Sequence, residues 1–497
     1  MRLWGAVGAA FILLEGAAGA YDQPVHVYLS SRAYAGPKTL DAGGGAAAVT
    51  ALRERIYNAG ANAADAKLRA RFLARYPDVK HFDAWELKRF LALNPDMHVA
   101  GLDETALPEG ADGAQVYAQA SRLPDDDHRN RDRFRHDGQR HVMFDPFGHE
   151  LPDDPATLEM GGLTGLSSQA HAHYGLPKLE FSDDPEVLKK DPRRFAVPPT
   201  VHTFGADFVE VYTALAILAA RLPGGERLAL VHAGAAAHHL EDVANQIHTV
   251  QVGLYDFFVD AKIESYKEEL RSAGGLLRSR PTFVQIGIDI IANHHVLAEV
   301  LYARHLLAPG DPVRALTESA APDAELDRQL AGVPADCAPG FAHRLADVLI
   351  DRSSYEGSPV YAATRAVASP RLSRVGQHFD ETEDPDRHVR PGADLSPLFD
   401  LEARGARRSD QVLRAWWSRF AACRSAPASV ETSIAEHLIA NRLDALDDAE
   451  ARARAWVPKA PEREKLNVWV PAGYLLALIA LAWVGRRIVR GRSGKKG

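Results

Sequence analysis

Apolar residues recur at every third or fourth position through most of this chain, the period of a helix that buries one face. Residues 50–100 read as helical by this test, most clearly at AADAKLRARFLARY (63–76) and DAWELKRFLALN (83–94). Residues 101–200 lose the period. Asp, Pro and Gly accumulate there, and the segment reads as loop with short helices. The pattern returns at ADFVEVYTALAILAARL (206–222), a helix stopped by Pro223-Gly224-Gly225. It continues in ERLALVHAGAAAHHLEDVANQIH (226–248), where Gly234 and the alanines suit close helix packing. PTFVQIGIDIIANHHVLAEVLYARHLL (281–307) is the next helix, ended near Pro309-Gly310. Beyond it FAHRLADVLI, SDQVLRAWWSRFAACR and SIAEHLIANRLDAL are spaced by Pro-rich and charged linkers. No run of alternating positions marks a sheet and no repeat is visible. The expected fold class is all-α.

The two ends break the pattern in a different way. Residues 1–20 combine Arg2, an apolar run from Leu3 to Leu14 and Ala18-Gly19-Ala20, the features of a secretory signal cleaved before Tyr21. Residues 466–485 carry no charge and match the roughly 20 residues needed to cross a bilayer. Trp469, Tyr474 and Trp483 suit interface positions, and Arg486, Arg487, Arg490, Arg492, Lys495 and Lys496 follow. The positive-inside rule puts that tail, 486–497, in the cytoplasm and the body of the protein on the other side, periplasmic or at the cell surface.

Composition adds limits. The 497 residues allow more than one structural unit, and a hydrophobic fraction of 46% suits a helix-rich globular body. A net charge of -8 argues against a non-specific nucleic-acid binder. The cysteines are Cys337 and Cys423, with no Cys-x-x-Cys pair, so a thiolate zinc site is not expected. A single disulfide and two unpaired buried thiols both remain open. The 21 histidines prompt a search for clusters, because imidazole is the commonest metal ligand.

AHHLEDVANQIHT (237–249) packs three histidines, two acids and two amides into a few turns. His238 and Asp242 are four apart and share one helix face. His248 lies about 240° further round an ideal helix from Asp242. It joins the same cavity more easily if the helix ends or bends near Asn245-Gln246. Imidazole and carboxylate are the ligands zinc takes in the absence of thiolate.

Gly234, His238, Asp242 and His248 keep every spacing of the motif G-x-x-x-H-x-x-x-D-x-x-x-P-x-H, with Gln246 standing where the motif has Pro. In this the chain resembles the zinc-dependent phospholipase C family and the related single-strand nucleases. The resemblance covers residues 21–307 and implies a multi-helical domain holding up to three zinc ions. It implies that His238 and Asp242 join two of them, Asp242 as the bridge, and that His248 serves the remaining one. It implies ligation by the amine and carbonyl of a newly exposed N-terminus, here Tyr21 where the family has Trp, and by His26. The step from Tyr21 to His26 matches the nuclease branch; Tyr28, Arg32 and Ala33 after the histidine look like the phospholipase branch.

The other ligands the resemblance implies fall on Asp125, with Asp127 in reserve, and on His173 before Tyr174 and Pro177. His171 and His141 are competing histidines. The last pair falls on His295 and Glu299, with Asp256 and Asp260 as an alternative pair. The activity implied is phosphodiester hydrolysis by metal-activated water, with Asp125 as ligand or general base. A tethered, outward-facing body and Glu299 in the final slot favour phospholipid headgroups as substrate. A single-strand nuclease or nucleotidase is the alternative, and a catalytically inactive membrane-anchored metal-binding protein the third reading. Residues 308–465 read as a helical extension with no assigned role.

Overall fold

The computed structural model describes residues 23–40, 45–77, 110–126, 205–249, 283–374 and 383–455, with short pieces at 135–136, 140–141, within 173–177 and within 184–193, and a few single positions. The expected signal (1–20), Tyr21 and the expected span (466–485) lie outside the described residues. Among the described residues no helix is long and apolar enough to cross a membrane.

Among the described residues the architecture is all-α, apart from one antiparallel ladder pairing β1 (Arg135–His136) with β2 (Arg140–His141). The helices are α1 (Gln23–Ala33), α2 (Gly45–Ala61), α3 (Ala66–Arg75), α4 (Gly113–Ala120), the single turn α5 (Leu123–Asp126) and α6 (Pro185–Lys190). They continue as α7 (Gly205–Ala220), α8 (Glu226–Ala244), α9 (Phe283–Leu307), α10 (Pro312–Ser319), α11 (Ala324–Ala331), α12 (Phe341–Ser354), α13 (Gly357–Val367), α14 (Ser396–Ser425) and α15 (Ala428–Ala455).

Local chemistry sets these boundaries. Asp65 caps α3 by accepting from the Lys67 N–H at 2.8 Å, and Asp112 with Gln115 forms a reciprocal capping box at α4. Gly224, at φ 67°, turns the chain between α7 and α8, a conformation that favours glycine. The two helices then pack against each other along their length. Every residue of α8 from Leu228 to Ala244 is buried. Alanine fills so much of it because α4, α7, α12 and α14 all pack around it and leave no outward face. At Gly234 a Cβ would lie 2.5 Å from the Tyr117 carbonyl oxygen, so α8 meets α4 at a contact only glycine permits.

Two apolar clusters hold the molecule. The larger joins α7 and α8 to α2, α4, α12, α14 and α15, with Phe72, Tyr117, Leu215, Leu240, Leu349 and Trp416 among its members. The second joins α1, α9, α13 and α14 through Val25, Leu301, Tyr302, Tyr361 and Leu398. Both draw on residues before and after 307, so the C-terminal segment is packed into the body. Trp416 of α14, for example, donates its indole N–H to Thr213 Oγ1 of α7 at 2.8 Å.

Cys337 and Cys423 form a disulfide, with Cα atoms 4.8 Å apart and a sequence separation of 86. It ties the loop after α11 to the end of α14. Reduction is expected to lower stability by about 2–5 kcal/mol, because the open chain regains the freedom of a long loop. Urea unfolding of the full chain with and without reductant, and of C337S/C423S, measures this; equal midpoints would show that the bridge adds nothing.

Candidate metal centre

α8 carries the centre of the site. His238 and Asp242 sit one turn apart on it, with the His238 Nε2 3.2 Å from Asp242 Oδ2. The other His238 nitrogen, Nδ1, meets the Ser121 carbonyl oxygen at 2.7 Å. That contact depends on the close approach at Gly234, because Ser121 directly follows α4. It makes Nδ1 the protonated nitrogen and leaves the Nε2 lone pair facing the cavity.

His173 joins them. Its Nδ1 is 2.6 Å from Asp242 Oδ2 and 2.9 Å from His238 Nε2. On the other side of the carboxylate, His26 of α1 brings Nε2 to 3.5 Å from Asp242 Oδ1. His26 is fixed by Glu241, whose Oε2 accepts from Nδ1 at 2.6 Å, while Ser30 donates to Oε1 at 2.7 Å. Asp242 thus presents each of its two oxygens to different imidazoles.

A second group lies alongside. Asn245 leaves the helix in extended conformation, and a 3-10 turn, Gln246–Thr249, carries His248 back into the cavity. The expected end of the helix near Asn245-Gln246 is therefore present, and it removes the angular mismatch of the histidine. His248 Nε2, His295 Nε2 and Glu299 Oε1 form a triangle with sides of 3.1, 3.2 and 3.1 Å. Ligand atoms on a tetrahedral ion with bonds of about 2.0 Å lie about 3.3 Å apart, so this triangle is already one face of such a site. Asn245 Nδ2 donates to Glu299 at 3.4 Å. His173 and Gly175 link the groups: the Gly175 N–H donates to the His248 carbonyl at 3.1 Å, and His248 Nδ1 lies 3.3 Å from the His173 carbonyl.

Electrostatics favour cations here. His26, His238, His239, Asp242 and His248 are all buried, at 2% exposure or less. Burial, the dominant cause, drives the His26 imidazole well below its ordinary value and brings His238, His239 and His248 down to about 4. Burial works the other way on Asp242, but His238 and His173 outweigh it and hold the carboxyl well below the usual range. A charged carboxylate therefore faces the His26 and His238 imidazoles, whose own protonation burial disfavours. Lone pair meets lone pair between His26 Nε2 and Asp242 Oδ1, and Asp242 Oδ1 has no hydrogen-bond partner among the described residues. Such an arrangement is costly without a positive charge between the groups. Among the described residues, two buried clusters are able to hold metal ions: His173, His238, His239 and Asp242, and His248, His295 and Glu299.

The residues expected from sequence divide clearly. His26, His173, His238, Asp242, His248, His295 and Glu299 come together in two adjoining buried groups. Asp125 lies in α5, which packs against α8; its side chain is outside the described residues, as are Tyr21, Asp127, His171, Asp256 and Asp260. His141 is in β2, its side chain likewise undescribed.

Sequence reasoning passed over two participants. His239 stacks on Tyr212 (ring centroids 5.5 Å, 4°) and on Phe208, with Nδ1 3.6 Å from Asp242. Glu241 orients His26. The signal for both was the uninterrupted burial of α8, which turns every polar residue on it inward. The same burial produces a counter-example: His232, with neither nitrogen hydrogen-bonded among the described residues, lies against Tyr212 as a core group.

No protein-family model, no curated protein and no solved structure matches this chain.

Proposed function

We propose that the chain is a zinc-dependent phosphodiester hydrolase of phospholipase C type, with a multi-helical body tethered to a membrane through residues 466–485 and facing away from the cytoplasm. The observation that carries this reading is the carboxylate of Asp242, set with His26 on one oxygen and His173 and His238 on the other, beside the separate His248–His295–Glu299 triangle. That donor set, built only from imidazole and carboxylate, would suit zinc.

Zinc bound there supplies Lewis-acid chemistry: it polarises a phosphoryl oxygen, lowers the pKa of water and stabilises a leaving oxygen. The chain's own residues supply the rest. Glu241 and the Ser121 carbonyl fix the tautomers of His26 and His238, so that each offers Nε2 inward. Asn245 steadies Glu299. Asp125, on the turn beside α8, is the proposed ligand or general base, and Tyr21 the proposed terminal ligand once the leader is removed. The disulfide supports the extracytoplasmic location, since such bridges persist in oxidising compartments.

The full chain, purified in mild detergent, is expected to hold up to three zinc equivalents and to release phosphorylated headgroups from phosphatidylcholine vesicles. Prolonged chelation should abolish release and added zinc restore it. The sequence step from Tyr21 to His26 favours a single-strand nuclease as second reading, so cleavage of a single-stranded oligonucleotide is assayed in parallel. Oligonucleotide cleavage alone would move the assignment to that reading. Metal without either activity would leave a binding protein, and a chain holding no metal would end the proposal.

A further inference from the structure

We infer that Gln246 is a positioning residue for His248, through which the C-terminal segment sets the affinity of the His248–His295–Glu299 group for its ion. The inference rests on the metal reading above and names the device that holds one of its subsites.

The turn carrying His248 has left α8, so the helical hydrogen-bond ladder no longer fixes it. A shift of the turn would swing the imidazole out of a triangle whose sides are near 3.1 Å. The side chain of Gln246 opposes that shift. It is completely buried, and its Nε2 donates to the Leu401 carbonyl oxygen at 2.7 Å and to Glu356 Oε2 at 3.2 Å. Neither acceptor is free to move. Leu401 is in the body of α14, and Glu356 Oε2 is paired with Arg408 Nη2 at 2.9 Å. Arg408, itself buried, is held by Asp323 at 2.9 Å, which also pairs with Arg352 at 2.7 Å. A run of charged and amide contacts thus extends from the turn into α12, α13 and α14. An apolar residue of similar volume would fill the space but would not fix the turn in register with Leu401 and Glu356. This gives a purpose to Gln246 and to the segment after 307, neither of which the reaction chemistry uses directly.

The test is a stepwise zinc competition against a chromophoric chelator on the full chain and on Gln246→Leu, Glu356→Gln and the double variant. Gln246→Leu is expected to weaken one binding step by about 10–100-fold, the usual cost of losing a partner that orients a ligand, and to leave the other steps unchanged. Glu356→Gln should weaken the same step by less, since the bond to Leu401 remains. The double variant should lose no more than Gln246→Leu, because both act on one element. Unchanged steps in Gln246→Leu, or an equal weakening of all of them as in a general loosening of the fold, would overturn the inference. Should Gln246→Leu not fold, the step affected by Glu356→Gln decides. A parent chain that binds no zinc defeats the metal reading itself and is distinguished by that control alone.

Discussion

Asp242→Asn is expected to strip zinc from both sides of the carboxylate and to lower phosphodiester hydrolysis by about 10³-fold or more. The charge removed is the one that both oxygens present to the imidazoles, with His26 on Oδ1 and His173 and His238 on Oδ2. An amide keeps one acceptor and turns an N–H toward the lone pairs on the other side, so one of the two oxygens would be lost as a donor to a cation. Lewis-acid stabilisation of a phosphoryl transition state amounts to several kcal/mol, and each 1.36 kcal/mol is a factor of ten. The metal-free fold should survive, since an amide fits the same space and still accepts from His173. Metal analysis, vesicle hydrolysis and circular dichroism of the chelated variant check the three parts. Full metal content with undiminished hydrolysis would mean that Asp242 is not the shared ligand.

Acidification should both unload and destabilise the protein, in a window fixed by the buried histidines. His238, His239 and His248 have folded values of about 4 against 6.5 for the free side chain. Between those values the unfolded chain binds more protons than the folded one, so stability falls as the pH falls. Each site alone corresponds to about 3 kcal/mol by pH 4, and the three share one cavity, so they do not sum simply. Asp242 acts in the same direction at lower pH. Its depressed folded value contributes stability above its ordinary value of 3.8, and that is lost as the pH falls further toward the folded value. Zinc competes with these protons and should leave over the same range. Urea midpoints of the chelated protein, and zinc per chain, measured from pH 7.5 down to 4, test both effects. A flat midpoint from pH 7 to 4.5 would contradict the burial argument.

Much of the fold was readable because helical period and stop signals are local. The expected helices at 206–222, 226–248 and 281–307 are observed as Gly205–Ala220, Glu226–Ala244 with a 3-10 turn, and Phe283–Leu307. The pairing of His238 with Asp242, and of His295 with Glu299, was equally local, each being one helical turn. What brings them together is not encoded in any local period. His26 meets Glu241 across 215 positions, and no periodicity encodes that contact. Glu241 was hidden for a related reason. Beside Asp242 on an ideal surface helix it would point to solvent, and only the layers packed on every side of α8 turn it inward. The disulfide was undecided in sequence because a pairing depends on where the two ends of an 86-residue separation come to rest.

The Cys337–Cys423 bridge closes a covalent ring, and Glu356, Leu401 and Arg408 all belong to it. The contacts that steady the turn of His248 are therefore suspended from a loop whose closure depends on thiol oxidation. On the proposed metal reading, reduction of the bridge is therefore expected to weaken ion binding at the His248–His295–Glu299 group, although no sulfur lies in that group.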